Sequence, residues 1–412
     1  MATRERQGWI LVASLFVTLF LVFGSGYNTS SLFFPQLLAH FKWTHTRTAW
    51  LTSALALSAG FSGPLIGLLL DRIEARLVMV VGAILAALAF VIASRADSFN
   101  VMLAAYLVLG IGIAAATLLP ASLIIANWFG ARRGFAMGLT FAGTSLGGAG
   151  MVQVGNYAIV HFGGWRAAYV TLAVPMVLIV VPLILWQVRS RPPEARKEDF
   201  QASGDALPGL ELREALRTRS FWMISAAQFL FACVAAGAGL HLIHHLINLG
   251  YTPTFAASMM SLVYTFASVG KLGMGVFSDR VSARVALAVN FIGAAIGMTL
   301  IFSASNGMML ALFVLVFGLT LGAPLVLIPL LAAESMGLKR FGSIGGLSGV
   351  FNTLGAAVGP VAAGQIFDVF GTYTAAFDTF IVLSILGALA SLSCLTLETE
   401  QARLAPAQVA AA

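Results

Sequence analysis

The chain has 412 residues, of which 59% are hydrophobic and only 9% are charged, with a mean hydropathy of +0.93. Soluble domains carry about 25% charged residues, so this composition excludes an ordinary soluble protein and indicates many membrane-spanning segments. The net charge of +7 would suggest nucleic acid as the partner of a soluble protein, but here it follows the membrane topology. Cys233 and Cys394 both lie in apolar segments and predict neither a metal site nor a disulfide framework.

Twelve apolar segments are long enough to cross a bilayer, which takes about 20 mostly apolar residues. The first has no small-residue cleavage site, so we interpret it as a retained helix and not as a signal peptide. The predicted spans are 9–38, 48–70, 77–95, 100–128, 134–161, 165–188, 220–249, 253–279, 284–303, 307–333, 341–368 and 373–397.

A polar stretch rich in proline and charge separates six spans from six. We expect an N-terminal six-helix bundle over 1–188, a cytoplasmic linker over 189–219, and a C-terminal six-helix bundle with a short cytoplasmic tail over 220–412. A short amphipathic piece is expected near the end of the linker, in "LELREALRT".

The basic residues are unevenly distributed between alternate loops. If both termini are cytoplasmic, most of the 23 Lys and Arg residues fall in cytoplasmic segments, and the opposite loops hold only Lys42, Arg47, Arg95 and Arg166. Cytoplasmic loops of membrane proteins carry this excess. We therefore expect cytoplasmic termini in a bacterial cytoplasmic membrane, with the lipid bilayer and no nucleic acid as partner.

Two loops at equivalent places in the two halves share one pattern. "GLLLDRIEAR" (67–76) follows the second span and "GVFSDRVSAR" (275–284) follows the eighth. Glycine permits close approach of helices, the aspartate can cap the next helix, and the arginines remain at the membrane interface. The candidate gating residues are Gly67, Asp71, Arg72, Arg76, Gly275, Asp279, Arg280 and Arg284.

These loops resemble the signature loop of the major facilitator superfamily, whose fold is two pseudo-symmetric six-helix bundles around a central cavity. Glu74 stands where the family commonly has glycine. Further stretches are similar to the branch of monocarboxylate porters and oxalate/formate antiporters. The resemblance implies an all-α polytopic transporter without a cofactor, working as a monomer, and not an enzyme. The stretches that carry it are "SSLFFPQLLAHFKWTHTRTAW" (30–50), "ANWFGARRGFAMGLTFAGTSLGG" (126–148), "GGWRAAYV" (163–170) and "ESMGLKRFGSIGGLSG" (334–349).

Lys271 is the first candidate for binding a substrate. It stands in the apolar run "FASVGKLGMGVF" (266–277), and no Asp or Glu falls in the middle of a predicted span to pair with it. Ionisable residues within the membrane are functional-site candidates because a buried charge is costly. The resemblance places Lys271 at the position of the family's substrate-binding cation, usually arginine. The structural alternative is that Lys271 snorkels or pairs with a carboxylate elsewhere.

Two departures from the related carriers bear on coupling and on the substrate. Proton-coupled porters often carry an aspartate four residues before this cation, where the chain has Ala267. The oxalate antiporters carry a second cation in the eleventh helix, a position that aligns with Asn352. A single cation favours a monocarboxylate over a dicarboxylate, and the resemblance makes Asn352 a further candidate for binding it.

Tyr27 and Asn28 belong to a polar band in the first span, and Tyr264 lies two helical turns before Lys271 on the same face. These side chains could orient an anion, or they could pack helices together. His241 and His245, at i and i+4, could carry a proton because imidazole titrates near neutral pH. They could equally be interfacial histidines, and the spacing could also suit a metal.

Together these features predict a secondary transporter of lactate- or pyruvate-like monocarboxylates, coupled to protons. A carboxylate exchanger and a proton-driven drug efflux pump are the alternatives, although no carboxylate of the kind that such pumps use is visible in the N-terminal spans. A membrane sensor or enzyme is disfavoured, because the chain has neither a substantial soluble domain nor a catalytic constellation.

Overall fold

The computed structural model describes residues 2–129, 133–188, 209–278, 280–337 and 339–409. Within these ranges the secondary structure is helical and no strand is formed. Eleven helices are long and apolar enough to cross a membrane, and a bent pair makes a twelfth when it is counted as one span. The predicted all-α, polytopic fold class is confirmed.

The membrane helices follow the predicted spans closely, because each contains an apolar run long enough to cross a bilayer. They are α1 (Arg6–Phe41), α2 (His45–Leu70), α3 (Ala75–Ser94), α4 (Phe99–Ile125), α5 (Phe135–His161), α6 (Trp165–Gln187), α7 (Arg219–Asn248), α8 (Pro253–Ser278), α9 (Ala283–Ser303), α10 (Gly307–Gly322 and Pro324–Met336), α11 (Phe341–Phe370) and α12 (Thr374–Leu392).

Irregularities that hydropathy does not reveal include a π-helical part of α1 and a bend in α10. In α1 the segment Leu19–Asn28 is π-helical, a form that recurs at functional sites. Within this segment, a Cβ at Gly24 would lie 2.5 Å from the carbonyl carbon of Gly147, so the backbones of α1 and α5 touch there. In α10 the two parts meet at 41°, and Pro324 lacks the N–H that would continue the first part.

The apolar cores follow the two halves of the chain. The largest cluster of buried side chains runs from Leu11 to Val188 and lies wholly within α1–α6 and their turns. Two other large clusters are formed mainly by α7–α12. The division into two bundles joined by a linker stays a prediction, and residues 189–208 of that linker lie outside the described residues.

Helices α2 and α11 pack together at one end of the molecule, the end that carries the α1–α2 turn and the α7–α8 turn; we call it the closed end. The Ser53 hydroxyl of α2 donates to the carbonyl oxygen of Ala357 at 2.5 Å. Nearer the tip, the Asp368 carboxylate of α11 accepts hydrogen bonds from the backbone N–H groups of His45 and Thr46, at 2.9 and 2.8 Å.

The same helices are loosely packed at the opposite end, which carries the α2–α3 and α8–α9 turns; we call it the open end. A Cβ placed on Gly63, Gly67, Gly345 or Gly346 would meet no heavy atom within 4 Å. Leu65 of α2 is 64% exposed. The described contacts between α2 and α11 are therefore concentrated towards the closed end.

The N-cap residues of the helices that follow the repeated loops are not the two aspartates. The N-cap residue of α3 is Glu74, which makes no side-chain capping bond, and that of α9 is Ser282, whose hydroxyl accepts from the backbone N–H of Val285. Glu334 accepts from the first backbone N–H of α9, that of Ala283, at 3.1 Å. The side chain of Asp71 and the whole of Asp279 lie outside the described residues.

Neither loop glycine is in a tight contact with a neighbouring helix, as far as the described residues go. Gly67 has open space around it, and the nearest atom to a Cβ at Gly275 would be Cγ1 of Val326, at 3.7 Å. The physical reason is that the helices are apart at the open end. Of the arginines, Arg72, Arg280 and Arg284 are exposed, and Arg76 pairs with Glu74 at 2.9 Å.

The end of the linker is fixed to the turn between α10 and α11. The backbone N–H of Leu210 donates to the carbonyl oxygen of Met336 at 2.9 Å, and Glu211 pairs with Arg340 and Lys339, each at 3.0 Å. Hydrogen bonds from Arg340 and Lys339 lower the pKa of the Glu211 carboxyl. The predicted amphipathic piece follows directly, as the short helix Leu212–Ala215.

A C-terminal helix, Leu397–Val409, stands where only a short tail was predicted. Its Glu400 is 2% exposed and accepts hydrogen bonds from the backbone N–H and the hydroxyl of Ser220, at 2.9 and 2.6 Å. A carboxylate at a helix N-terminus satisfies otherwise unpaired N–H groups. The C-terminal helix is thus held to the start of α7.

Candidate substrate site

Lys271 of α8 is buried, with 8% of its surface exposed. Its ammonium donates to the hydroxyl oxygens of Thr144 and Ser145, at 2.9 and 2.7 Å, and to the carbonyl oxygen of Phe141, at 3.4 Å. None of the ion pairs found among the described residues involves Lys271. The charge is therefore solvated by neutral oxygens of α5, in the part of the molecule that the structure describes.

Small residues allow the lysine to reach across from α8 to α5. A Cβ at Gly322 of α10 would lie 2.9 Å from Cγ of Lys271, so the aliphatic stem passes directly over this glycine. A Cβ at Gly148 of α5 would lie 2.5 Å from Nδ2 of Asn28 and 2.8 Å from the ring of Tyr264. Glycine at both positions makes room for the polar side chains between the helices.

Asn28 and Tyr264 join Lys271 in one polar cluster, which we call the lysine site. The Asn28 amide donates to the carbonyl oxygen of Thr144 at 2.8 Å, and the Tyr264 hydroxyl donates to the carbonyl oxygen of Asn28 at 3.3 Å. Three predicted site residues, from α1 and α8, thus meet at one segment of α5. A carboxylate placed here could accept hydrogen bonds from ammonium, amide and hydroxyl groups.

Two other predicted site residues lie apart from these hydrogen bonds. The ring of Tyr27 stacks on that of Phe23, with centroids 5.3 Å apart. Asn352 lies in α11 and is not among the hydrogen-bond partners of Lys271. Tyr27 is thus the sequence neighbour of Asn28 in the lysine site, whereas Asn352 does not take part in the hydrogen bonds of that site.

Thr144 and Ser145 are the partners of Lys271 that sequence reasoning missed. They lie in the stretch 126–148 that carries the family resemblance, but neither was singled out there. The available signal was weak: two adjacent hydroxyl residues in a glycine-rich membrane helix. Hydroxyl side chains in membrane helices commonly bond to their own backbone, so this pattern does not distinguish a site.

His241 and His245 lie towards the closed end, and no hydrogen bond joins either of them to Lys271. His241 is fully buried, with its two ring nitrogens 3.0 Å from the Tyr373 hydroxyl and from the carbonyl oxygen of Pro360. His245 packs against the ring of Phe377, with centroids 4.9 Å apart. Across the described ranges, no three His, Cys, Asp or Glu side chains are grouped as metal ligands.

A hydrogen-bonded chain of side chains crosses between the halves at the closed end. Nε2 of His45 lies 3.0 Å from Nε2 of His244, and Nδ1 of His45 lies 2.9 Å from the Asp368 carboxylate. The Thr46 hydroxyl donates to the same carboxylate at 2.6 Å. We call Asp368, His45, Thr46 and His244 the closed-end latch, because they connect α2, α7 and α11.

An all-α polytopic protein with a buried cation between two halves, closed at one end and open at the other, has the architecture of a membrane carrier. The sequence profile of the Major Facilitator Superfamily matches residues 15–252 and 242–411. The chain belongs to this superfamily, and it is a transporter and not an enzyme.

The curated relatives include several monocarboxylate transporters of vertebrates. The chain is 27% identical over 379 residues to monocarboxylate transporter 13 of Bos taurus, an alignment that covers 90% of this chain and 85% of the bovine protein. It is 25% identical over 400 residues to monocarboxylate transporter 12-B of Danio rerio, covering 90% and 83%. It is 26% identical over 384 residues to monocarboxylate transporter 3 of Rattus norvegicus, covering 90% and 76%.

Among solved structures, the fold is similar to that of a bacterial homologue of the human lysosomal transporter Spinster, crystallised in inward-facing occupied and unoccupied conformations. The TM-score is 0.70 for both, at 17% and 18% sequence identity. The alignments cover 92% and 94% of this chain, and 93% and 95% of the other. At this identity the likeness shows the fold alone.

Proposed function

We propose that this protein transports small organic monocarboxylates such as lactate or pyruvate together with a proton, by alternating access, with the anion bound at Lys271. One observation carries the proposal: the buried ammonium has only neutral oxygen partners among the described residues. The names of the relatives, which are monocarboxylate transporters, point to the same class of substrate.

The chemistry of the lysine site suits one carboxylate. An unpaired charge in the membrane interior is costly, so an anion that forms a hydrogen-bonded ion pair with Lys271 lowers this cost. Lysine supplies a point charge, and orientation of the anion must then come from neighbouring groups. In our proposal Asn28 and Tyr264 supply this orientation, with Tyr27 beside them.

The proposed proton route begins at the closed end. The histidines there, His241 and His245 with His45 and His244 next to them, are groups whose ordinary pKa lies near neutral pH. The position that carries an aspartate in related proton-coupled carriers is Ala267 here, so the closed-end histidines are the remaining proton carriers in this proposal.

We propose that the open end faces the cytoplasm of a bacterial cell, with both termini on that side, and that the protein works as a monomer. The exposed residues Arg72 and Arg280 lie at the open end, whereas Lys42 and Arg47 lie at the closed end. Taken over the whole chain, the excess of basic residues in the segments assigned to the open end supports this orientation.

The test is uptake of labelled L-lactate into proteoliposomes with an inward proton gradient. We expect accumulation by the wild type and a loss of about tenfold or more in Lys271→Gln, because a charged hydrogen bond contributes about 1.5–3 kcal/mol. The matched control is Lys42→Gln, which removes an exposed lysine and should leave uptake unchanged.

Other outcomes decide between the alternatives. Uptake that requires preloaded internal carboxylate would identify an exchanger in place of a proton symporter. Export of amphipathic drugs without carboxylate uptake would favour an efflux pump. Wild-type uptake by Lys271→Gln would refute the assignment of the anion site to this lysine.

A further inference from the structure

The oxygen atoms around Lys271 form a complete set of partners for an ammonium group. Lysine has three N–H donors, and the three acceptors are the hydroxyls of Thr144 and Ser145 and the carbonyl of Phe141. All three come from one turn of α5, in the opposite half of the chain. Thr144 and Ser145 are themselves buried, at 4% and 7% exposed. We call Thr144 and Ser145 the hydroxyl cradle.

The cradle is held in place independently of the lysine. The Thr144 hydroxyl donates to the carbonyl oxygen of Phe141 at 2.8 Å, so its lone pairs are directed towards the ammonium. The carbonyl of Thr144 accepts from the Asn28 amide of α1 at 2.8 Å. The cradle is therefore positioned by α1 and α5 and needs no ligand to keep its geometry.

Resting on the proposed function, we propose that the hydroxyl cradle takes the place of the substrate carboxylate in the empty carrier. Thr144 and Ser145 are then positioning residues, which hold the Lys271 ammonium when no anion is bound. A buried ammonium without partners would raise the free energy of every conformation in which α5 and α8 are packed together. The cradle removes this obstacle, so the empty carrier can change conformation and return for another substrate.

This role separates two modes of transport that depend on different steps. Net uptake requires the empty carrier to return, whereas exchange of external for internal substrate proceeds through loaded carriers alone. Loss of the cradle should therefore impair net uptake far more than exchange. Simple damage to the fold or to the anion site would reduce both in parallel.

The transport experiment compares net lactate uptake and lactate exchange in the double variant Thr144→Val, Ser145→Ala. We expect net uptake to fall about tenfold or more, in line with the loss of hydrogen bonds to a charged group, and exchange to change by less than about twofold. The single substitution Thr144→Ser leaves Ser145 unchanged and keeps a hydroxyl at both positions. Its net uptake should equal that of the wild type. The matched control is Thr140→Val, a buried threonine of α5 whose hydroxyl has no partner in the described region.

A second measurement needs no substrate. The melting temperature of the purified protein is determined for the cradle variant, for Lys271→Met, and for the two combined. We expect the cradle variant to melt at a lower temperature than the wild type, and we expect the same two substitutions to cause no loss in the Lys271→Met background. An equal fall in melting temperature in both backgrounds would overturn the proposed interaction between the cradle and Lys271.

The two measurements distinguish the inference from the proposed function. If the melting temperatures show coupling between the cradle and Lys271 but no carboxylate is transported, the cradle interaction is supported and the substrate assignment is refuted. If net uptake and exchange fall in the same proportion in the cradle variant, the cradle does not support return of the empty carrier and the inference is overturned.

Discussion

Gly148 illustrates how one missing side chain shapes the lysine site. Its α-carbon faces the Asn28 amide and the Tyr264 ring, and a Cβ there would lie 2.5 and 2.8 Å from their atoms. Non-bonded contacts of carbon with nitrogen or with carbon are not that short in a relaxed structure, so any substitution must displace both side chains or the backbone between them. One of these side chains, the Asn28 amide, also makes the hydrogen bond to the Thr144 carbonyl that helps to hold the cradle.

We predict that Gly148→Ala lowers lactate uptake about tenfold, because it displaces the Asn28 amide from the Thr144 carbonyl. Overpacking of this kind typically costs about 1–3 kcal/mol, so the melting temperature should also fall by a few degrees. Gly138→Ala is the matched control on the same helix, since a Cβ there would meet open space. Equal effects of the two substitutions on uptake would contradict this explanation.

The lysine site shows which residues a sequence can reveal. Lys271 was predicted because a single charge in an apolar run is visible without any knowledge of helix packing. Thr144 and Ser145 were not, because similar residues such as Thr18 and Thr171 bond only to their own helix, at 2.9 Å. The difference lies in which neighbour faces the hydroxyl, and that depends on how α5 and α8 cross.

At the scale of the helix, the closed end is held by an N-terminal cap that comes from another helix. The N-cap residue of α2 is Thr44, which accepts from the Arg47 N–H at 3.1 Å. The N–H groups of His45 and Thr46 are satisfied instead by Asp368 of α11. An anion at a helix N-terminus is stabilised by the helix dipole as well as by these bonds. Opening of this end therefore separates the Asp368 carboxylate from the N–H groups of α2.

We predict that Asp368→Asn shifts the carrier towards a conformation in which the two halves are separated at the closed end. The substitution removes the charge and one of two acceptor oxygens, which should change the balance of conformations by about tenfold or more. Spin labels at Lys42 and Leu249, exposed residues of the two closed-end turns, report the separation of the halves. We expect a larger fraction of long distances in the variant.

Asp378→Asn is the control, because this carboxylate belongs to α12 and takes part in none of the ion pairs of the described chain. An unchanged distance distribution in Asp368→Asn would show that the latch does not hold the closed end together.

For the whole molecule, the structure represents one of the two conformations that our proposal of alternating access requires. Helices α2 and α11 touch from the closed-end latch to the neighbourhood of Ser53 and Ala357. The opposite conformation needs this contact to separate while the open end closes. Transport should therefore stop if the two helices are joined covalently at the closed end.

We predict that oxidation of a Ser53→Cys, Ala357→Cys pair abolishes lactate uptake and that a thiol reductant restores it. The native Cys233 and Cys394 are buried and are first replaced by serine to keep the chemistry selective. Each single cysteine serves as a control and should transport equally with and without oxidant. Full uptake by the verified cross-linked protein would contradict alternating access through this contact.

Hydropathy predicted the twelve spans and their order because a bilayer requires a minimum apolar length of every helix that crosses it. It could not predict the π-helical part of α1, within which Gly24 packs closely against α5. It also could not predict the latch, whose partners His45 and Asp368 are 323 residues apart. The family resemblance predicted the overall arrangement, whereas the individual contacts between the halves depend on how helices distant in sequence pack together.

The cap that Glu400 forms on Ser220 has a consequence for biosynthesis. These residues are separated by 180 positions, so the first turn of α7 leaves the ribosome long before its capping carboxylate has been made. Domains generally fold as their sequence emerges, yet the helix that carries Glu400 is synthesised only after all of α7–α12. A chain that terminates before Leu397 would keep every membrane helix and still lack the contact that finishes the second half.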